Sequence, residues 1–414
     1  MGNTKTFVFI SIDGMTDPLG QSQVLPYLIG LARLGHSVQI ISSEKKENWQ
    51  SQHQIVEAQL AEVNILWKYC FYETGKPFIS QFQNFLALKK QAIALIQNYP
   101  KHQRSNVILH CRSYLAGLIG LDCKKRFGTG FIFDMRGFWA DERLEGGIWN
   151  KANLIHSFLY AYFKKKEKTM IRESDAIVSL THKGKQIIID WDLGISSSKL
   201  TVIPCCADLS YFSKHNIQEN RFITFKNKIS RYGNQFILSY VGSLGTWYMA
   251  EEMLQFFKEL TEHTPAHFLI ITKDDKQHIY DLAEKIGIST DSLSVVTASR
   301  SDMPYYIALS SASLFFIKPS FSKSASSPTK MGELLSMGIP VITNSGVGDV
   351  DSVIRASKCG ILVSDFNNNN YKEAIFDLMK NRHIYQANTV NAAHRYFSLN
   401  TGIERYKQIY DSFN

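Results

Sequence analysis

A heptapeptide in the second half of the chain, Ser-Pro-Thr-Lys-Met-Gly-Glu, carries residue types that bind a phosphate group and a sugar diol. Ser327 is predicted to cap a helix with Pro328 at its first position, because a hydroxyl accepts free N–H groups of the first turn and proline fits there. Thr329 and Lys330 then lie where open N–H groups, the helix dipole and a cation converge on one anion. Glu333, one turn on, is placed to accept from a diol. A nucleoside diphosphate site is predicted; the alternative is that both charges are merely solvated.

Two glycine loops offer a second way to hold an anion. Gly20 lies in Asp-Pro-Leu-Gly-Gln-Ser-Gln, and Gly242 and Ser243 begin the sequence Gly-Ser-Leu-Gly. Each loop follows the first predicted strand of one half of the chain and leads into a helix, whose free N–H groups can face an anion. A purely structural glycine is the alternative. Neither loop matches G-x-G-x-x-G, and the chain lacks G-x-x-x-x-G-K-[ST], which argues against a dehydrogenase and a P-loop nucleotidase.

Apolar runs that end on polar residues must position these side chains. They predict strands at 7–12, 37–42, 107–110, 131–134 and 176–180 in the first half, and at 236–241, 268–272, 293–296, 314–317 and 340–343 in the second. Such runs are typical of parallel strands buried on both faces. Apolar residues at helical spacing lie between them, as in 24–34, 250–260 and 303–310. The alternation predicts doubly wound α/β domains, which bind ligands at the carboxyl ends of their strands.

The 414 residues exceed the size of one average domain, so two or three domains are expected. The strand series restarts after a stretch near 205–235 that has no strong apolar period. We therefore predict an N-terminal Rossmann-like domain over 1–205, a C-terminal one over 206–390, and a last segment, 391–414, with a helix at 402–412. Two such halves imply a cleft between them, where ligands usually bind.

The composition is that of an ordinary globular protein, with 44% hydrophobic and 20% charged residues. The net charge of +9 indicates an anionic partner, either a phosphorylated substrate, an acidic membrane or nucleic acid. Nucleic acid is not expected, because its recognition motifs are missing. The six cysteines form no C-x-x-C pair and are expected to be buried reduced thiols. Two Asp-x-Asp strings, at 190–192 and 349–351, are interpreted as accidental, so no metal site is predicted.

These segments resemble the GT-B glycosyltransferases, specifically the large retaining group called family 4. The resemblance extends over nearly the whole chain, through 14–23, 133–139, 202–208, 240–244 and, most specifically, 327–342. It implies two facing Rossmann-like domains, with the nucleotide sugar on the C-terminal one, the acceptor on the N-terminal one, and the last helix packed back on the N-terminal domain. It assigns Glu333 to the ribose, Lys330 and nearby amides to the diphosphate, and the Gly20 loop to the phosphate and sugar of the donor.

The chain departs from the family pattern in three places. Ala325 stands eight positions before Glu333, where the family has the first of two glutamates, the one that contacts the donor sugar. The first loop of the second domain lacks the usual Arg and Lys, so the diphosphate charge falls on Lys330. The helpers assigned to Lys330 are Arg300, Lys318 and Lys323. Where a histidine often ends the strand near the reacting centre, this chain has Arg136.

The resemblance implies transfer with retention, by same-face attack assisted by the leaving phosphate and without a required metal. Negative charge builds on the leaving diphosphate, so fixed donors at the phosphates matter most. We hypothesise that Asp134 orients or deprotonates the acceptor hydroxyl and that Arg136 holds that hydroxyl or a donor phosphate. A surface ion pair between them is the alternative. Glu142 and Arg112 are predicted to bind the acceptor.

The resemblance implies an enzyme that moves a hexosyl or N-acetylhexosaminyl unit from a UDP-sugar or GDP-sugar to a hydroxyl of a glycan or lipid-linked saccharide, in bacterial surface-polysaccharide synthesis. Two alternatives stay open. One is a nucleotide-sugar 2-epimerase of the same shape. The other is an inactive sugar-nucleotide-binding protein, an interpretation that Ala325 keeps open.

The stretch 154–172 combines aromatic and aliphatic residues with lysines at 164–168, a composition typical of an interfacial helix on anionic lipid. A solvated helix packed by Phe158 and Phe163 is the alternative. No apolar run is long enough to span a bilayer, and the N-terminal residues do not match a signal peptide. We expect a cytoplasmic protein, and hypothesise peripheral attachment to the inner face of the membrane through 154–172.

Overall fold

A computed structural model describes residues 5–73, 75, 77–229 and 235–413. The chain forms two compact units, and each is described by itself. Unit 1 comprises Met1–Pro204 and Leu399–Asn414, and unit 2 comprises Cys205–Ser398. The second division falls after Ser398 rather than after 390, because one continuous helix, Asn368–Phe397, runs through the predicted boundary.

Unit 1 contains a parallel sheet with helices packed against it. Its strands are β1 (Thr6–Ser11), β2 (Ser37–Glu44), β3 (Leu66–Phe71), β4 (Val107–Arg112), β5 (Gly130–Asp134), β6 (Ala176–Ser179) and β7 (Leu200–Val202). Its first eight helices are α1 (Pro18–Gln23), α2 (Leu25–Arg33), α3 (Lys46–Ala61), α4 (Pro77–Gln97), α5 (Ser113–Phe127), α6 (Trp139–Glu145), α7 (Leu154–Glu173) and α8 (His182–Asp190). Short 3-10 helices lie at Lys101–Asn106 and Ser197–Lys199.

The strand order in the described part of this sheet is β3-β2-β1-β4-β5-β6-β7, and all pairs are parallel. The central strands consist mostly of buried apolar residues because helices cover both of their faces. Along β1, for example, Phe7 to Ile10 are buried. Gly35, with φ +95, follows the end of α2, where the left-handed conformation suits glycine and stops the helix.

Unit 2 contains a second parallel sheet. Its strands are β8 (Phe236–Val241), β9 (Ala266–Ile271), β10 (Leu293–Val296), β11 (Ala312–Phe315), β12 (Val341–Asn344) and β13 (Gly360–Val363). Its helices are α9 (Glu219–Ile229), α10 (Ala250–Thr261), α11 (Lys276–Ile286), α12 (Met303–Ala308), α13 (Thr329–Ser336), α14 (Val350–Ser357) and α15 (Asn368–Phe397). Short 3-10 helices lie at Lys214–Asn216, Thr290–Ser292 and Ser322–Ala325. The described strands are ordered β10-β9-β8-β11-β12-β13, again in parallel.

The last helix, α16 (Leu399–Asp411), belongs to unit 1 and packs against α2. The ring of Tyr410 stacks on Phe7 of β1 with a centroid distance of 3.7 Å. Gly30 of α2 has no room for a side chain, because a Cβ there would lie 2.4 Å from Cδ1 of Ile403. The helix therefore completes the core of unit 1.

The prediction of an α/β protein with two Rossmann-like halves is confirmed. Cys70 is half-buried, and the other five cysteines are buried. Across the described residues, no helix combines the length and the apolar character needed to cross a lipid bilayer.

Candidate functional site

In unit 2, the neighbouring strands β8, β11 and β12 end side by side, and hydrogen bonds join the loops that follow them. The side chain of Asn344, at the end of β12, accepts the N–H of Ile317 at 2.8 Å and donates to its carbonyl at 2.9 Å. The N–H of Met249, in the loop after β8, donates to the carbonyl of Phe316 at 3.0 Å. Carboxyl ends of parallel strands are where open α/β sheets bind ligands. Most of the donor-binding residues predicted in unit 2 lie on these loops or on α13.

Helix α13 begins at Thr329, and Pro328 rather than Ser327 occupies the N-cap position. The Ser327 hydroxyl instead accepts the N–H of Cys205 at 3.1 Å. The prediction that Ser327 caps the helix is therefore wrong. Since the described structure contains no side-chain cap at this helix start, the open N–H groups of the first turn can face another acceptor.

Lys330 and Glu333 form an ion pair on one face of α13, with Nζ 2.9 Å from Oε2. The lysine side chain is 31% exposed and the glutamate only 4% exposed. The buried carboxylate thus orients a lysine whose other side faces solvent. This geometry does not fit the alternative in which both residues are independent solvated charges.

Tyr211 and Arg300 lie in the same neighbourhood. The Arg300 guanidinium carbon is 5.2 Å from the centre of the Tyr211 ring, and the tyrosine hydroxyl donates to the Arg300 carbonyl at 2.9 Å. Burial raises the pKa of Tyr211; Arg300 opposes that shift, and Glu333 adds to it. Arg300 therefore packs on Tyr211, and no hydrogen bond or ion pair joins it to Glu333 among the described residues.

The two lysines after β11 differ in exposure. Lys318 has an exposed side chain, and its N–H donates to the carbonyl of Trp247 at 2.9 Å. Lys323 is buried, with Nζ 3.8 Å from the centre of the Trp247 ring, where the face of an indole attracts a cation. Ala325, in the same 3-10 turn as Lys323, is also buried.

The loop after β8 is closed by Asp274. The Ser243 hydroxyl donates to its two carboxylate oxygens at 2.9 and 3.1 Å, and the N–H of Leu244 donates to it as well. Gly242 has φ +147, a conformation that L side chains rarely adopt. The Ser243 side chain is therefore engaged within the protein, and the N–H of Gly242 donates to the carbonyl of Ile271 at 3.0 Å.

In unit 1, the loop that contains Gly14 is organised by Glu44, a fully buried residue at the end of β2. The donors to its carboxylate are the N–H groups of Met15 and Thr16 and the hydroxyls of Thr16 and Ser42. Gly20 lies within α1 rather than in the loop before it. A Cβ on Gly20 would be 2.0 Å from the Gly14 carbonyl oxygen, so the close backbone approach that Gly20 permits is to this same loop.

Asp134, at the end of β5, is 1% exposed and lies among three partners. Tyr406 donates its hydroxyl to Oδ2 at 3.0 Å, and Nε2 of His110 is 3.6 Å from the same oxygen. Nη1 of Arg136 is 3.7 Å from Oδ1. The carboxylate therefore joins β4, β5 and α16 inside unit 1.

These partners fix the protonation state of Asp134. Burial raises its pKa, but Arg136, His110 and Arg112 outweigh burial and lower the pKa from 3.8 to about 2. A buried carboxylate with so low a pKa is a weak base and does not reach an acceptor hydroxyl. The structure thus does not fit the hypothesis that Asp134 deprotonates the acceptor, nor the alternative of a surface ion pair.

Two strained residues mark the same edge of the unit 1 sheet. Arg136 has φ +59 and Ser113 has φ +64. Non-glycine residues seldom adopt this conformation, and strain of this kind, about 1 kcal/mol or more, is concentrated at functional sites. The two residues follow the carboxyl ends of the neighbouring strands β5 and β4.

A cavity of about 170 Å³ opens beside these turns, in unit 1. Its lining includes Asp13, Tyr72, Gln81, Arg112, Trp139 and Arg143. Nε of Arg112 donates to Asp13 at 3.1 Å. Glu142 is half-buried on α6, the helix that carries Trp139 and Arg143, and its charge acts on Arg143. The two predicted acceptor residues, Arg112 and Glu142, are thus brought to one edge of the sheet.

A larger cavity, of about 460 Å³, lies in unit 2 and is lined by His267 and Leu293 among others. These residues stand at the amino ends of β9 and β10. Because ligands bind at the opposite edge of such sheets, this cavity is not the candidate site.

Helix α7 has two contrasting parts. Its first turns expose Leu154, Ile155 and Phe158, which are 86%, 66% and 69% accessible. Lys164 points inward, where it pairs with Asp141 at 2.7 Å and with the buried Glu167. The lysines that remain exposed or half-exposed are Lys165, Lys166 and Lys168. Phe163 is buried, so of the two rings expected to pack this helix only Phe163 does so.

Two family models match the chain. Residues 23–211 match the model described as Glycosyltransferase Family 4, and residues 222–396 match the model described as Glycosyl transferases group 1. The first match lies mainly on unit 1 and the second on unit 2. The chain is a family 4-like glycosyltransferase. The resemblance seen in the sequence is thereby confirmed, and the glycosyltransferase matches include the segment that contains Lys330 and Glu333.

Solved GT-B structures cover nearly all of this glycosyltransferase. A glycosyltransferase from Rickettsia africae is 16% identical, with a TM-score of 0.70 and coverage of 99% of each chain. Anabaena HepE in complex with UDP-glucose is 11% identical, with a TM-score of 0.70 and coverage of 99% of this chain and 100% of HepE. A Listeria monocytogenes protein assigned as a UDP-N-acetylglucosamine 2-epimerase is 12% identical, with a TM-score of 0.61 and coverage of 97% and 95%. At these identities the likeness shows the fold alone. No curated protein matches the chain.

Sequence reasoning missed several residues of these sites. The sequence did contain a pattern that could have indicated Glu44: an acidic residue at the end of an apolar strand needs hydrogen-bond donors if it is buried. The pattern that could have indicated Arg143 and Trp139 is weaker: a cation and an indole lie four positions apart on a short helix. No pattern indicated Tyr406, because its partner is distant in the sequence.

Proposed function

We propose that this glycosyltransferase moves a hexosyl or N-acetylhexosaminyl group, with retention, from a UDP-sugar or GDP-sugar to a hydroxyl of a glycan or lipid-linked saccharide in surface-polysaccharide synthesis. The observation that carries the proposal is the Lys330–Glu333 pair at the open start of α13, beside the carboxyl edge of the unit 2 sheet. Anabaena HepE, a protein of the same fold, was solved with UDP-glucose, which supports a nucleotide sugar as donor. Retention follows from the resemblance to the retaining family.

The donor diphosphate lies, in this proposal, against Lys330 and the first-turn amides of α13, including that of Thr329. The ribose hydroxyls bind Glu333. Lys330 is the accessible end of the pair, so a diphosphate reaches it without disturbing the core. Further contacts on unit 2 are assigned to Gly242, Ser243, Arg300, Lys318 and Ser327. A lysine already fixed by an ion pair stabilises the charge that develops on the leaving diphosphate without having to reorganise.

The acceptor lies, in this proposal, on unit 1, where Arg112 lines the cavity and the neighbouring helix α6 carries Glu142. Arg136 faces the acceptor hydroxyl. Asp134 acts through Arg136 as a positioning residue, because its carboxylate is buried and ionised. No resident metal takes part in this scheme, so turnover should continue in the presence of EDTA.

A panel of nucleotide sugars, incubated with and without saccharide acceptors, tests the proposal. Formation of a glycoside and release of the nucleoside diphosphate are expected for one donor. The variant Lys330→Ala should lower kcat/KM about 100-fold or more, the scale found when one fixed donor at a developing charge is removed. Lys380→Ala, at an exposed lysine of the same unit, is the control. An altered sugar nucleotide formed without acceptor would indicate the epimerase instead, and binding without turnover would indicate an inactive protein.

Peripheral attachment of α7 to the cytoplasmic face of a membrane is the second part of the proposal. The exposed side chains of Leu154, Ile155 and Phe158, near accessible lysines, supply the apolar and basic groups that an anionic bilayer attracts. Sedimentation with anionic vesicles should be strong at low salt and weak at high salt. The double variant Leu154→Glu/Phe158→Glu should abolish it, whereas Phe376→Glu, which changes an exposed ring of unit 2, should not. Equal sedimentation of all three proteins would contradict the attachment.

A further inference from the structure

The 170 Å³ cavity of unit 1 contains an arginine whose charge is not neutralised by a close partner. Among the described residues, the side chain of Arg143 makes no hydrogen bond and no ion pair, and its Nε is buried without an acceptor. Its guanidinium carbon lies 4.1 Å from the centre of the Trp139 ring and 5.8 Å from that of Trp149. Burial lowers the pKa of Arg143, and the charge of Glu142 opposes that shift.

The other charges that line the cavity are already paired with each other. Asp13 accepts a hydrogen bond from Nε of Arg112 at 3.1 Å, so the Asp13 carboxylate is already paired with Arg112. Asn84 is also committed, because its amide exchanges hydrogen bonds of 2.8 and 3.2 Å with the backbone of Glu73. Arg143 is thus the charged group of the lining that still needs an anion.

Packing of the two indoles does not by itself account for Arg143. A guanidinium gains from lying over an indole face, but taking it out of water without an anion is costly, and a neutral side chain of similar volume would pack there without that cost. Its planar fork of N–H donors matches the oxygens of a carboxylate or a phosphate. Tyr72 and Trp139 add aromatic faces to the same lining, and Gln81 adds an amide.

We infer that this cavity binds an acidic group, a carboxylate or a phosphate, carried by the acceptor saccharide, with Arg143 as its main ligand. The inference rests on the proposed transfer to a saccharide and names the chemical class of that saccharide. The anionic group occupies the cavity between α4 and α6, and the rest of the acceptor extends along the edge that carries Arg136.

Binding of three probes to the full chain tests this inference. The probes are methyl β-glucuronide for the carboxylate, glucose 6-phosphate for the phosphate and methyl β-glucoside as the neutral compound, with tryptophan fluorescence or calorimetry as the readout. One anionic probe should bind about 10-fold more tightly than the neutral one, as expected for charge-assisted hydrogen bonds. The anionic probe that binds more tightly identifies the group. Equal affinities for all three probes, or no binding of either anionic probe, would overturn the inference.

Variants at Arg143 add a second measurement. Arg143→Gln should bring the ratio of anionic to neutral affinity close to one, and Arg143→Lys, which keeps the charge but loses the fork, should restore part of it. Arg33→Gln, at a surface arginine of unit 1, should leave the ratio unchanged. If Arg143→Gln does not fold, the comparison of probes on the unmodified protein still decides. Consumption of a nucleotide sugar is assayed separately, so a working donor reaction with no preference for anions would reject this inference and leave the proposed function intact.

Discussion

The hydroxyl of Tyr406, on α16, lies 3.0 Å from Oδ2 of Asp134, at the end of β5. Burial, together with the charge of Asp134, raises the pKa of Tyr406 well above its usual value, so the hydroxyl keeps its proton and donates it. One turn further along α16, Tyr410 contacts Nδ1 of His110 at 2.9 Å. Helix α16 therefore holds Asp134 and its neighbour His110, and Asp134 lies next to Arg136. Substitutions on α16 should for this reason affect the proposed acceptor site of unit 1.

The variant Tyr406→Phe should destabilise unit 1 by about 1–3 kcal/mol, because it leaves a buried charged oxygen without its hydroxyl donor. It should also lower kcat more than it raises KM for the donor, since it disturbs Arg136 and not the site on unit 2. Urea unfolding and steady-state kinetics measure the two effects. Tyr162→Phe, at an exposed ring of α7, is the control and should change neither.

Asp134 should make stability fall in acid. Its folded pKa of about 2 lies below the usual 3.8, so its contribution, about 2 kcal/mol, is fully present above about pH 4 and is lost as the pH falls towards 2. Asp134→Asn cannot titrate at this position, so the difference in unfolding free energy between the wild type and this variant should shrink over that interval. Urea unfolding at a series of pH values measures it. A difference that stays constant would contradict the assigned pKa.

The variant Gly20→Ala should destabilise unit 1 by about 3 kcal/mol or more, because its Cβ would lie 2.0 Å from the carbonyl oxygen of Gly14 and the loop held by Glu44 would have to move. Thermal unfolding measures the loss. Gly245→Ala is a matched control, since its Cβ would meet its nearest neighbour, Oγ of Ser243, only at 3.8 Å. Equal melting temperatures of both variants would show that the loop containing Gly14 can move without a cost in stability, and would contradict this prediction.

The variant Glu333→Gln should raise the KM for the donor about 10-fold, because an amide is a weaker acceptor than a carboxylate and no longer holds Lys330 by charge. Its effect on kcat should be smaller than its effect on KM. Glu373→Gln, at an exposed glutamate of α15, should behave as the wild type. Unchanged donor kinetics in Glu333→Gln would remove this residue from the donor site.

The sequence predicted the strands that helices cover on both faces, because their apolar runs are continuous. The predicted strand 236–241 has the same bounds as β8. The sequence did not predict β3, which is an edge strand. Its first residue, Leu66, is 62% exposed, and Lys68 interrupts its apolar run. The sequence also missed β13, which has only four residues and begins with glycine.

The site was predictable where its geometry is local. Lys330 and Glu333 are three positions apart on one helix, so their meeting follows from the helical repeat. Cys205, whose N–H donates to the Ser327 hydroxyl, is 122 positions from Ser327. Tyr406 is 272 positions from Asp134. Contacts of this kind depend on how the whole unit packs, and no local pattern of residues reveals them.

Unit 1 is assembled from two stretches of chain with all of unit 2 between them. During synthesis the ribosome therefore delivers the complete second sheet before α16 emerges. Until then the ring of Phe7 lacks the stacked ring of Tyr410, and Asp134 lacks its hydroxyl donor. Domains generally fold in the order in which they are made. The part of unit 1 that is made first therefore cannot complete its core until α16 has been synthesised. Strand β1 is thus completed by a helix, α16, that is made only after the whole of unit 2.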